Sequence, residues 1–279
     1  MKMKKYYYIT IFALSLSISL FGQTERLSLS ISGGGSYTML KNTIPDSKST
    51  EKAGYTVNVQ FNLAISHSFA IGLGVGYSNY SSDVSLDQYY TATASTDSEG
   101  DKYEYRLSGT NLKENQSINM FEIPLLLIIQ NRERMKFKPY LQVGVKAMLP
   151  VQSQFSCTAG EIETRGYYSQ YNVELSNMPN HGFDLFSLEG VSGKLSSKVS
   201  YAALMELGTN ISLGNSYLTF ALFGSCGLSS ICQSRELFTV DHVYQSLFSV
   251  SSNVVPYSIG LKVGISILFR SKKSEHSLP

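Results

Sequence analysis

From Tyr257 to Phe269 the chain alternates without a break. Tyr257, Ile259, Leu261, Val263, Ile265, Ile267 and Phe269 are separated by Ser258, Gly260, Lys262, Gly264, Ser266 and Leu268. A period of two puts the two sets on opposite faces of a β-strand, one apolar and one small or polar. The whole stretch, Val255 to Phe269, exceeds the roughly 9–11 residues with which a tilted strand crosses a bilayer.

Composition supports many such strands. Only 16% of residues are charged, while 19 Tyr, 14 Phe and 22 Gly favour strands over packed helices. The net charge of +2 is too small to argue for nucleic acid as a partner. Cys157, Cys226 and Cys232 match no metal-ligand spacing. A Cys226–Cys232 disulfide is compatible with an oxidising compartment, and three free thiols are compatible with the same sequence.

The chain opens with Lys2, Lys4 and Lys5, an apolar run from Ile9 to Phe21, and then Gly22. A basic start, a short apolar core and a small residue describe a secretory signal peptide, residues 1–22, with the mature chain at 23–279. Strands are then expected at Arg26–Met39, Tyr55–Ile65, Phe69–Ser78, Ser117–Ile129, Phe137–Leu149, Lys198–Leu213, Ser216–Leu228 and Val255–Phe269. Short turns lie at Ser66–Ser68, at Gln130–Met135 and at Gly214–Asn215, the last a strong tight-turn pair. Polar linkers read as loops, a reading that leaves room for β extensions of the barrel beyond the membrane, cover Lys41–Ala53, Ser81–Gln116, Pro150–Ser197 and Ser229–Asn253.

Eight strands whose connections alternate long and short point to an all-β, eight-stranded antiparallel transmembrane up-and-down barrel with long extracellular loops. Short turns and both termini are expected on the periplasmic side. The soluble rival, a calyx with its apolar face turned inward around a ligand, is an equally regular eight-stranded barrel. Three features favour the membrane: a Gly- and Ser-rich polar face suited to a narrow interior, loops longer than a calyx needs, and aromatics near strand ends. Those aromatics are Tyr37, Tyr55, Tyr77, Tyr140, Tyr201, Tyr257 and Phe269, as an interfacial girdle requires.

Several short motifs resemble a known family. Gly72-Leu73-Gly74-Val75-Gly76-Tyr77, Phe121-Glu122-Ile123-Pro124-Leu125-Leu126 and Pro139-Tyr140-Leu141-Gln142-Val143-Gly144 resemble the PorT-like small outer-membrane barrels of Bacteroidetes. The resemblance implies an eight-stranded barrel in the bacterial outer membrane without a common assigned role. Lys262, Gly264, Ile267 and Phe269 likewise resemble the terminal signal read by the barrel assembly machinery, which that likeness makes a transient partner alongside outer-membrane lipid.

Four charges fall on the polar face: Glu122, Lys146, Glu206 and Lys262. Facing hydrocarbon they would be costly, so they are expected to point into the lumen at similar heights and pair there. A structural plug is favoured over a proton or ion gate, because an eight-stranded interior is just wide enough for side chains to fill it. Asp97-Ser98-Glu99-Gly100-Asp101 gathers oxygen ligands around a Gly but lacks a full Ca²⁺ loop, so a solvated acidic loop is expected. His67 in a turn, His181 with Asp184, and Asp241 with His242 have no nucleophile marked beside them. No cofactor, metal or catalytic residue is expected. The expected protein is a non-enzymatic scaffold whose loops, rich in Tyr, Ser, Asn and Gly, serve recognition, adhesion or envelope integrity. A loop-rim enzyme and a narrow pore are the alternatives.

Overall fold

The computed structural model describes residues 27–130, 136–214, 216–234, 237 and 243–269. The expected signal peptide, residue Asn215, the Asp241–His242 pair and the tail after Phe269 lie outside the described residues. Eleven strands form a single sheet: β1 (Leu27–Asn42), β2 (Lys48–Ala64), β3 (Phe69–Thr96), β4 (Lys102–Gln130), β5 (Phe137–Tyr168), β6 (Val173–Leu175), β7 (Leu185–Ser187), β8 (Ser192–Lys194), β9 (Ser200–Leu213), β10 (Ser216–Gly227) and β11 (Val254–Phe269). Eight of them close a ring in the order β4-β3-β2-β1-β11-β10-β9-β5, with β5 returning to β4. Every pairing is antiparallel, and β1 meets β11 in register from Leu27↔Phe269 to Asn42↔Val254. Among the described residues, closure leaves no unpaired edge across the apolar belt, which is what a bilayer demands of a β-structure.

The apolar face points outward, which removes the calyx. Leu73, Leu125, Leu207 and Leu261 are all exposed, and so are the residues at every second position from Phe69 to Tyr77 on β3, from Phe121 to Ile129 on β4 and from Ile259 to Phe269 on β11, with Tyr201 and Met205 on β9. The belt runs from Phe69 to Tyr77 on β3 and from Ile129 to Phe121 on β4, paired Phe69↔Ile129 and Tyr77↔Phe121. Its upper rim carries exposed Tyr37, Tyr55, Tyr77 and Tyr201, with the Tyr55 and Tyr77 rings 6.4 Å apart. Aromatic rings with a polar tip settle at the boundary between acyl chains and headgroups.

Above that rim the outward chemistry reverses while the pleat continues. On β3 the outward-parity positions after Tyr77 are Asn79, Ser81, Asp83, Ser85 and Asp87, of which Ser81 alone is buried, and the inward ones include Tyr80, Val84 and Leu86. On β4 the outward set becomes Asn119, Ser117, Asn115 and Lys113, against inward Met120, Ile118 and Leu112. The barrel therefore leaves the lipid and continues as a water-exposed β-structure with an apolar core of its own.

Much of the sequence assigned to loops is therefore β extension of the barrel. Ser81–Gln116 is not a loop but the upper half of a hairpin whose turn is only Asp97–Asp101. Pro150–Tyr168 continues β5, and Lys41–Ala53 shrinks to the turn between β1 and β2. Of the last segment, Ser229–Asn253, the described residues fold inward and include a short helix, α1 (Leu247–Val250). Ile231, Cys232, Leu237, Tyr244, Leu247 and Phe248 pack against Leu40, Ile118, Met120, Met148 and Phe155. The three cysteines are free thiols, Cys226 exposed and Cys157 and Cys232 buried.

Candidate functional site

All four lumenal charges face the interior, and they form two ion pairs rather than one ring. Lys146 Nζ donates to Glu122 Oε1 at 2.8 Å and to the Tyr80 hydroxyl at 2.9 Å. That hydroxyl in turn donates to Glu122 Oε1 at 3.0 Å, closing a triangle. The hairpin register of β4 and β5 fixes this arrangement, with Glu122 opposite Met148 and Pro124 opposite Lys146.

The second pair, Lys262 Nζ with Glu206 Oε2, reaches across an intervening strand. Lys262 lies opposite Ala221 of β10, and Ala221 lies opposite Gly208 of β9. These small residues leave the lysine room to pass. A Cβ on Gly208 would sit 2.6 Å from the Tyr140 hydroxyl, so the glycine also admits the Tyr140 ring. Tyr140 donates to Glu206 Oε1 at 2.5 Å. Both pairs line one small cavity of about 50 Å³. Beneath it a polar vestibule of about 360 Å³ is lined by Ser30, Asn62, Lys138, Asn210, Tyr217 and Ser266 among others. Tyr80 is absent from the sequence-derived cluster, and Tyr140, expected in the interfacial girdle, is buried in the lumen instead; a buried Tyr needs a polar partner, and inward parity next to a charge is the signal that points to both.

Above the Lys146–Glu122 pair the interior is filled by the inward-folded segment, and one carboxylate holds it. Glu114, fully buried on β4, accepts from the Ser246 hydroxyl, from the Tyr244 hydroxyl at 3.0 Å, from the Leu247 N–H at 3.1 Å and from Gln116 Nε2 at 2.8 Å. It has no cationic partner among the described residues. Burial raises its pKa above the ordinary carboxylate value, and the four hydrogen bonds pull it only part of the way back. Burial and the nearby Glu114 push the Cys157 thiol up to about 12 and carry Tyr244 well above its usual value.

The sign of the resulting pH dependence follows from linkage. A carboxyl whose folded pKa is raised contributes stability that is complete below its unfolded pKa and is lost as pH rises through the folded one. Protection of Val243–Val250 against proteolysis, normalised to cleavage of a free peptide at each pH, should therefore weaken from pH 5 to pH 8. Glu114→Gln should flatten that profile and lower protection at pH 5, because one amide face meets donors it cannot satisfy. An unchanged profile in the variant would remove Glu114 as the titrating group.

A closed ring of lipid-length strands with an apolar outer belt, an aromatic rim and a polar lumen is one side of the identification. The other is a family model described as "Outer membrane protein beta-barrel domain", which matches residues 21–276. The chain belongs to this outer-membrane β-barrel family. Its place is the bacterial outer membrane. Among curated proteins none matches the sequence. Solved structures similar to this barrel include the outer membrane protein OprG from Pseudomonas aeruginosa, at 14% identity and TM-score 0.41, covering 90% of this chain and 99% of that one. Neisserial surface protein A is similar at 10% identity and TM-score 0.37, covering 86% and 97%. Ail, the attachment invasion locus protein of Yersinia pestis, in complex with the heparin analogue sucrose octasulfate, is similar at 9% identity and TM-score 0.32, covering 87% and 99%.

The other described candidate residues of this outer-membrane barrel lie in turns and connecting segments. Asp97 Oδ1 accepts the N–H groups of Glu99 and Asp101, and Gly100 takes φ +92°, so the acidic segment is the tight turn joining β3 to β4. Slight burial of Asp97 is outweighed by these bonds and by the Tyr168 hydroxyl, which hold its carboxyl below the usual value. Among the described residues no three His, Cys, Asp or Glu side chains converge as metal ligands. His181 ends a single 3₁₀ turn, Pro179–His181, and its N–H bonds to the Met178 carbonyl. Asp184 accepts from its neighbour's N–H, that of Leu185, at 2.8 Å. His67 sits in the exposed turn between β2 and β3.

Proposed function

We propose that this outer-membrane barrel is a non-enzymatic surface protein. It is an anchored, plugged β-cylinder whose extended hairpins stand above the lipid for recognition, adhesion or envelope integrity. The observation that carries the reading is the reversal of outward chemistry on β3 and β4 at Tyr77 and Phe121. A strand that continues for about twice the length the bilayer needs, polar outside and apolar inside, is built for a folded structure in water. Two ion pairs and the segment held by Glu114 occupy the lumen, which supports a closed barrel rather than a pore.

In this reading residues 1–22 are a secretory signal and 23–279 the mature barrel. The short turns and both termini face the periplasm, and the long hairpins face the medium. The likeness to PorT-like barrels is kept at the level of its motifs, of which Gly72–Tyr77 supplies a stretch of the lipid belt on β3. Outer-membrane lipid and, during insertion, the assembly machinery are the partners that the architecture calls for.

Orientation is tested by labelling. With native cysteines replaced, a cysteine at Ser95 or Ser169 should react with an impermeant thiol reagent on whole cells, and one at His67 should not. The reverse pattern would overturn this topology. Absence of steps in planar-bilayer recordings would be the expected result for the closed lumen, and steady conductance would overturn it.

A further inference from the structure

β3 has two partners only up to Ser85. β2 pairs with it from Ala64↔Ala70 to Lys48↔Ser85 and then ends. From Leu86 to Thr96 the strand pairs with β4 alone, and no described residue pairs with its other edge. The free edge, Asp87–Thr96, reads DQYYTATAST. It is rich in β-favouring Tyr and Thr, and its pairing with β4 is unbroken from Gln88↔Thr110 to Thr96↔Lys102. Natural edge strands are blunted by lysine, proline, a bulge or a cover. This one has a single charge, Asp87, at its foot. Its outward N–H and C=O groups therefore form an open template for another strand.

We propose that the occupant is the same edge of a second copy, paired antiparallel, so that two barrels in facing membranes join through their β3 strands. This rests on the reading that the long hairpins face outward. An incoming antiparallel strand runs in the direction of β2 and continues its line. Its own turn, Asp97–Asp101, then arrives where β2 begins, at Lys48. That turn brings Asp97, Glu99 and Asp101, which have no ion pair among the described residues. The receiving end offers exposed Lys41 and Lys48, likewise without an ion pair among the described residues, against Asp46 of the turn and Asp87 at the foot of the edge, so it carries no net negative charge to repel the incoming acids. A two-fold axis between the strands makes the same match at both ends, as an isologous contact must. Parallel pairing within one membrane would instead set the two acidic turns side by side, where like charges repel. Charge thus selects the antiparallel arrangement, and with it the facing membranes.

The test uses full-length protein in vesicles of neutral lipid. Wild-type vesicles should cluster. Vesicles carrying Glu99→Lys with Asp101→Lys should not cluster with one another, nor should vesicles carrying Lys48→Glu. Mixing those two populations should restore clustering, because each acidic or basic turn then meets its complement at both ends. Failure of wild-type vesicles to cluster, or clustering indifferent to these exchanges, overturns the proposal. An Ala92→Cys variant lacking native cysteines separates the two levels of inference. If it labels with impermeant reagent on whole cells and vesicles still fail to cluster, the pairing is wrong and the orientation stands. If it does not label, both are wrong.

Discussion

Lys146→Met is expected to lower the temperature at which the folded barrel loses its compact mobility in detergent gels, and the loss should be largely undone by adding Glu122→Leu. The lysine is buried and serves one carboxylate and one hydroxyl, at 2.8 and 2.9 Å. Removing it leaves Glu122 charged in the interior with only the Tyr80 hydroxyl to satisfy it. Such a broken buried pair costs about 3–5 kcal/mol when water stays out. Replacing both partners by apolar groups removes the desolvation cost along with the attraction, so the double variant should sit much closer to the parent than to Lys146→Met. Tyr80→Phe provides the scale. It deletes one hydroxyl shared by two charges and should cost about 1.5–3 kcal/mol. If the losses from Lys146→Met and Glu122→Leu simply add, the two side chains are uncoupled and the ion pair is not what holds this part of the lumen.

The lipid-facing half of this barrel was legible because its outward chemistry is uniform. From Phe69 to Tyr77 each outward residue is apolar, and hydrocarbon tolerates nothing else there. The upper half uses the same pleat with a weaker contrast. Asn79, Ser81 and Asp83 outward against Tyr80, Ser82 and Val84 inward read as a polar stretch, because apolar density, not alternation, is what catches the eye. Irregular pairing between β4 and β5, near Thr110–Glu114 and at Asn119–Met120, further breaks the period. Glu122 and Lys146 could be joined from sequence since a short turn sets their register. Lys262 and Glu206 could be placed on one face, but their contact depends on Ala221 and Gly208 leaving a gap between non-adjacent strands. Glu114 was hidden for a different reason. Its partners Tyr244, Ser246 and Leu247 are more than a hundred residues away, in a segment with no periodic signal.

Gly264→Asp is expected to prevent closure of the barrel both in cells and in purified refolding, whereas Phe269→Ala should fail only in cells. The difference lies in where each residue sits on the seam between β1 and β11. Gly264 faces inward opposite Ser32, and a Cβ there would stand 2.7 Å from both the Ile31 carbonyl oxygen and the Ser32 Cβ. The facing strand is equally bare: a Cβ on Gly34 would stand 2.2 Å from the Leu261 carbonyl oxygen. Both strands thus approach too closely for side chains, and neither backbone can move without giving up ladder hydrogen bonds. An aspartate adds a carboxylate to that crowding, with desolvation to meet as well. Phe269 instead points outward, half exposed, opposite Leu27 at the last position of β11. Its removal deletes an aromatic anchor at the edge of the belt but disturbs no strand contact. A protein that refolds in detergent yet reaches the outer membrane poorly would mark Phe269, with Lys262 and Ile267, as part of a signal read during assembly. Normal insertion of Phe269→Ala would leave those residues as barrel wall alone, and normal insertion of Gly264→Asp would mean that the β1–β11 seam is not as tight as its glycines require.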